Sequence, residues 1–182
     1  MTRADGTRLA GYLTPFAQGG TDFEGTYGVG LTSRPQVGDV IEIPTPKGLA
    51  YAQYTHKHRN YGELLRVFRG FHELRPEQFD DLVRAEPQFS TCFPLGPACA
   101  KRLVRIVASE LISVAHKDFP TFRAAVMGKD GAWGTWWLWD GEKEWPVGKL
   151  SPGMELLPLR GIIDDTLLVE RIVNGWRHEH DA

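Results

Sequence analysis

Asp140-Gly141 sits between two apolar runs, and an Asp-Gly pair in that setting is a strong hairpin signal, because a type I′ turn needs positive φ at both central positions. Gly134 to Trp139 and Lys143 to Val147 are therefore read as antiparallel partners. The hairpin also gathers five of the six tryptophans, Trp133, Trp136, Trp137, Trp139 and Trp145, into thirteen residues. Side chains alternate along a strand, so Trp133, Trp137 and Trp139 are expected on one face and Trp136 and Leu138 on the other. Such a segment is either a central strand buried on both sides or a strand that presents aromatics outward.

The rest of the chain is punctuated in the same way. Gly38-Asp39 precedes a β-branched run, Val40, Ile41 and Ile43, that Pro44 and Pro46 close. Lys47-Gly48 makes the next turn, Leu49 to Thr55 alternates, and Glu63 to Arg69 reads as a third strand, which together suggest a meander. Arg75-Pro76-Glu77 resembles a helix entry leading to Phe79, Leu82 and Val83, ended by Pro87. Phe89 to Phe93 and Leu103 to Ala108 read as strands separated by Pro94, Gly96 and Pro97. Phe122 to Met127 reads as another. Asp164 is placed to cap a helix with Leu168, Ile172 and Val173 inward and Gly175 at its end. His178-Glu179-His180 is left as a fraying tail.

These elements predict an α+β, mainly β chain, with short antiparallel strands in one or two bent sheets or partly open small barrels and two short helices. Residues 1–36 carry seven glycines and no sustained period, and are read as an extended arm with a short edge strand at 25–30. Residues 37–182 form one β-rich domain, divisible into two small modules, 37–117 and 118–176, that share a core. A length of 182 residues suffices for such a core without staples. Cys92 and Cys99 show no CxxC pattern and are read as reduced structural thiols.

No stretch approaches a membrane span, and the cytoplasm is the expected compartment. A formal net charge of -2 and a pI near 6.3 disfavour a protein that grips phosphate backbones. Charge is uneven, with ten Lys/Arg against six Asp/Glu from Lys47 to Arg105 and seven against eleven from Asp118 to Ala182. Lys101, Arg102 and Arg105 form a basic cluster that strand alternation would split.

The sequence carries no recognisable catalytic pattern. Ser33, Ser90, Ser109, Ser113 and Ser151 lack a GxSxG elbow, and Tyr27-Gly28-Val29-Gly30 lacks the glycines and lysine of a phosphate loop. The reading is therefore a non-catalytic binding protein with no cofactor and no metal. Its candidate partner-binding residues are Trp136, Trp139, Asp140, Glu142, Glu144 and Trp145, aromatic anchors inside an acidic rim suited to a basic protein partner. Core packing of the tryptophans and solvation of the acids are the competing explanations. A second candidate surface is His56, Lys57 and Arg59. His56 and His58, two apart, share a strand face as metal ligands often do, but no third ligand suggests itself.

Val37-Gly38-Asp39-Val40-Ile41-Glu42-Ile43-Pro44, followed by Gly48-Leu49-Ala50-Tyr51-Ala52-Gln53, resembles the opening of the immunity-26 family of bacterial polymorphic-toxin immunity proteins. Phe119-Pro120, Phe122-Arg123 and Trp137 to Gly141 look similar to related bacterial proteins, so the likeness spans Val37 to Gly175. It implies a cytoplasmic protein that binds and blocks a cognate toxin domain by surface complementarity, without cofactor or turnover. It implies no particular site residue. A small-ligand or sugar-binding module built on the tryptophan strand, and a nucleic-acid-binding small barrel using Lys57 and Arg59, are the alternatives.

Overall fold

A computed structural model describes residues 34–129 and 131–181. The arm read at 1–36, with its edge strand at 25–30, falls outside them except for residues 34–36. Eight strands form two antiparallel sheets. The larger has the order β4-β3-β2-β1-β5, from β1 (Asp39–Thr45), β2 (Gly48–His58), β3 (Gly62–Val67), β4 (Phe89–Phe93) and β5 (Arg105–Ser109). The smaller has the order β6-β7-β8, from β6 (Phe122–Ala124), β7 (Trp136–Trp139) and β8 (Glu144–Gly148). Each sheet is open, ending in β4 and β5 or in β6 and β8, so neither closes into a barrel.

The large sheet is buried on both faces, which explains why β1 is buried from Asp39 to Ile43 instead of alternating. On one face Ile41, Ile43, Ala52, Leu65, Val67 and Phe89 pack against the helices α2 (Leu95–Ala100) and α3 (Asp165–Val173) through Leu95, Ala98, Leu168 and Ile172. The opposite face divides. Val40, Tyr51 and Phe68 meet Phe79 and Val83 of α1 (Asp80–Arg84) and the residue before it. Leu64 and Cys92 meet Phe122 and Trp139 of the small sheet.

The two sheets are also joined along their edges. Arg123 N donates to Pro158 O and Arg160 N to Arg123 O, both at 2.8 Å, and Ile163 N donates to Cys92 O at 3.1 Å. One stretch, 158–163, thus covers the outer edge of β6 and then that of β4, saturating backbone groups that would otherwise template aggregation. Arg123 is fully buried and reinforces the join: Nε donates to Leu157 O at 3.1 Å, Nη2 donates to His178 O, and the guanidinium lies 4.9 Å from the Trp136 ring centroid.

Several expectations are corrected. Among the described residues there are three α-helices, not two, because the Gly96-Pro97 stretch read as a break is the first turn of α2. Proline is tolerated there, since first-turn N–H groups have no intrahelical partner. α1 starts at Asp80, after the Arg75-Pro76-Glu77 entry; Arg75 is drawn instead to buried Glu42 through Nε and Nη2, at 2.8 and 3.0 Å. His178 does not fray: it is buried, and its Nε2 accepts from Ser90 N at 3.1 Å. α3 keeps its expected cap, with Asp164 accepting from Leu167 N at 2.8 Å and Gly175 at φ 63° behind it. Cys92 and Cys99 are free thiols, and burial pushes Cys92 up to about 12.

Candidate functional site

A bulge in β2 decides where its histidines point. Tyr54 pairs with Leu65 and faces the helices, but the register slips between Tyr54 and His56, so His56 pairs with Leu64 on the opposite face. Strict alternation would have kept Tyr54, His56 and His58 together. The slip aims both histidines at the small sheet. His56 Nε2 donates to Lys117 O at 2.9 Å and its ring meets Phe119 edge-on at 5.6 Å. His58 Nδ1 accepts from Asn60 N and Tyr61 N at 3.2 and 3.3 Å, which leaves Nε2 as the protonated nitrogen, donating to Gly141 O at 3.0 Å.

That bond couples the β2–β3 turn to the β7–β8 turn. Between them lies a cleft of about 480 Å³ lined by His58, Arg59, Asn60 and Tyr61 on one side and by Trp139, Gly141, Glu142 and Arg160 on the other. Its floor is aromatic, with the Tyr61 and Trp139 centroids 4.8 Å apart and His58 edge-on to Trp139 at 4.9 Å. Arg160 stands 5.7 Å from the Trp139 centroid and is held by Glu144 at 3.0 Å, a contact that raises its affinity for its proton. Arg59 and Glu142 are exposed, one on each turn.

The hairpin is where the sequence places it, with one change. Asp140 N donates to Lys143 O at 3.2 Å, so Gly141 and Glu142 are the central pair, and Gly141 alone of them has positive φ, 99°. This is the pattern of the primed turn with glycine in its first central position, not type I′. Asp140 Oδ1 accepts from Glu142 N and Lys143 N at 2.9 and 2.7 Å, and these backbone bonds hold its carboxyl below the usual value, Lys143 first. A Cβ on Gly141 would stand 2.9 Å from Phe119 Cδ1, so glycine is required by close approach as well as by φ.

The candidate residues therefore separate. Trp139, Glu142 and Arg59 line the cleft, and the two surfaces that the sequence treats as distinct meet there through His58. Trp136 lies on the other face of β7, buried beneath Arg123 and 5.2 Å from Trp133, which stacks beside it instead of joining Trp137. Trp137 and Trp145 are 38 % and 37 % exposed, whereas Trp136 and Trp139 are 6 % exposed, so the aromatic cluster is partly core and partly surface. Lys57 is exposed and does not line the cleft. The acidic rim is reduced to Glu142, because Asp140 closes its own turn and Glu144 pairs with Arg160.

Arg160 is the charged site residue that sequence reasoning missed. Nothing local links Arg160 to Trp139, twenty-one positions earlier, whereas Tyr61 belongs to the same sequence loop as His58 and Arg59. Among the described residues no group of three or more His, Cys, Asp or Glu side chains is placed to hold a metal ion. No described helix is long and apolar enough to cross a membrane. No family model, curated protein or solved structure matches the chain.

Proposed function

We propose that this chain is a non-catalytic binding protein that receives a protein partner at the cleft between the β2–β3 and β7–β8 turns, acting as an immunity protein that blocks a bacterial toxin domain. The supporting observation is the convergence of two turns, from different sheets, on one concave aromatic floor, coupled by the bond from His58 Nε2 to Gly141 O. A rigid aromatic centre ringed by polar groups is the anatomy of an interface hot spot. The resemblance of the β1–β2 segment to the immunity-26 family supplies the class of partner, and such a protein acts in the cytoplasm of its producer. The charges on the lips, Arg59 and Glu142, are of opposite sign, which favours a partner of mixed charge over a purely basic one.

The test is co-expression with the toxin domains of the source organism, scored by growth and by complex formation. Protection and a stable complex are expected. Arg59→Glu with Glu142→Lys, both exposed, should slow association about tenfold and leave the fold intact. Absence of both complex and protection refutes the reading, and so does a complex indifferent to the two substitutions. A cavity of about 480 Å³ floored by Tyr61 and Trp139 also suits a small ligand or sugar, the second reading. Quenching of tryptophan fluorescence by a sugar panel, lost in Tyr61→Ala, would favour it.

A further inference from the structure

A second cleft, of about 410 Å³, lies between the β1–β2 turn, the chain just after β3 and the C-terminal end of α3. Its charged lining is Lys47, Arg69 and Arg177, with no carboxylate among the lining residues, in a chain whose formal net charge is -2. A cleft lined by one sign of charge focuses its field on the space it encloses.

The ordinary explanation would be that these cations cap α3, whose C-terminal end carries partial negative charge. The carbonyls of its last turn are already served. Arg171 O accepts from Trp176 N at 2.9 Å and from Gln88 Nε2 at 3.1 Å, Ile172 O accepts from Gly175 N at 3.2 Å, and Val173 O accepts from Lys47 Nζ at 2.8 Å. Capping engages Lys47 and involves neither the Arg69 nor the Arg177 side chain. Arg177 Nη1 donates to Glu179 at 3.2 Å, which occupies one corner of a fork with five N–H donors. The rest of the lining mixes the amides of Gln88 and Asn174 with apolar Ile172, Val173 and Phe71; Phe71 is 37 % exposed, with Lys47 Nζ 5.8 Å from its ring centroid.

We propose that this cleft binds a small ligand in which an oxyanion, phosphate or carboxylate, is joined to a flat apolar body. The oxyanion sits between the Arg69 and Arg177 guanidinium groups, which match its geometry, and the flat body lies against Phe71. The site is separate from the aromatic cleft, sharing no lining residue with it.

Adenosine monophosphate, benzoate and uncharged adenosine would each be titrated into the full chain, following the backbone amides of Gly70, Phe71 and Gly175 by NMR. Saturable shifts with adenosine monophosphate or benzoate are expected, and the tighter of the two says whether phosphate or carboxylate is preferred. Adenosine should leave these amides unmoved. Arg69→Ala and Arg177→Ala should each weaken binding about tenfold, the usual cost of one charge-assisted hydrogen bond. Neither removes a cap from α3, so the fold is retained. Lack of saturable shifts with both anions overturns the proposal, as do equal shifts with adenosine or affinity unchanged in both arginine variants.

Discussion

Gly141→Ala tests the packing of the β7–β8 turn against Phe119 directly. Two costs add. Gly141 has φ 99°, where an L side chain costs about 1–2 kcal/mol. The new methyl would also stand 2.9 Å from Phe119 Cδ1 and 3.0 Å from Cε1. That ring packs against His56, His58, Phe122 and Trp139, so it yields only by disturbing the inter-sheet core, an overpacking cost of about 1–3 kcal/mol. The sum is about 2–5 kcal/mol. Gly148→Ala is the internal control, because Gly148 also has positive φ, 73°, but its Cβ would meet nothing within 4 Å, leaving the backbone cost alone. Urea unfolding followed by tryptophan fluorescence measures both. With an m-value of about 2 kcal/mol/M, the midpoint should fall by roughly 1–2.5 M for Gly141→Ala and by roughly 0.5–1 M for Gly148→Ala, with m unchanged. Equal losses in the two variants would refute the tight approach of Phe119 to the β7–β8 turn.

Arg75→Met should cost about 2–3 kcal/mol at neutral pH, less than a fully buried pair because Arg75 is half exposed, by stripping buried Glu42 of its bidentate partner. Burial alone would raise the Glu42 carboxyl, but Arg75, Tyr51 and Arg105 outweigh it and hold it below 4.5; the stabilisation is therefore complete above 4.5 and fades as pH falls through the lowered value, so wild type and variant should converge in acid unfolding curves. Burial, aided by Arg123 and Arg171, lowers His178 from 6.5 to about 3. The unfolded chain then binds the extra proton, so stability should decline as pH drops from 6.5 towards 3, by up to about 1.4 kcal/mol per unit, and His178→Gln should flatten that slope in denaturant titrations. Among the tryptophans, Trp136→Ala and Trp139→Ala should each cost about 3–5 kcal/mol, and Trp137→Ala and Trp145→Ala under about 1.5, while acrylamide-accessible fluorescence should drop in the latter two; the reverse ranking would overturn the assignment of faces.

Local chemistry carries much of this molecule. Asp140-Gly141 announces its turn because the side chain can bind the N–H groups ahead of it and glycine can take positive φ. Asp164 and Gly175 bracket α3 for equally local reasons, a side-chain acceptor at one end and a left-handed residue at the other. α2 escapes notice because Pro97 normally signals a break, and only its place in the first turn makes it harmless. The candidate site is half legible. Trp139, Arg59 and Glu142 stand out by type, whereas Arg160 enters through the 158–163 stretch that runs beside β6.

The sequence by itself determined a mainly β chain of short antiparallel strands, because proline, glycine and aspartate set turn positions through their own backbone preferences and β-branched and aromatic runs fill the intervals. Only the tertiary structure decided which side chains face one another. The β2 bulge turns His56 and His58 from the helix side to the small sheet, and a one-residue slip of this kind follows from how neighbouring strands and cores fit together, not from any residue at the bulge. It likewise decided that Asp140 and Glu144 are engaged, by backbone N–H groups and by Arg160, while Arg59 and Glu142 are left on the lips of the cleft. A charge in a sequence has no partner until the chain has folded.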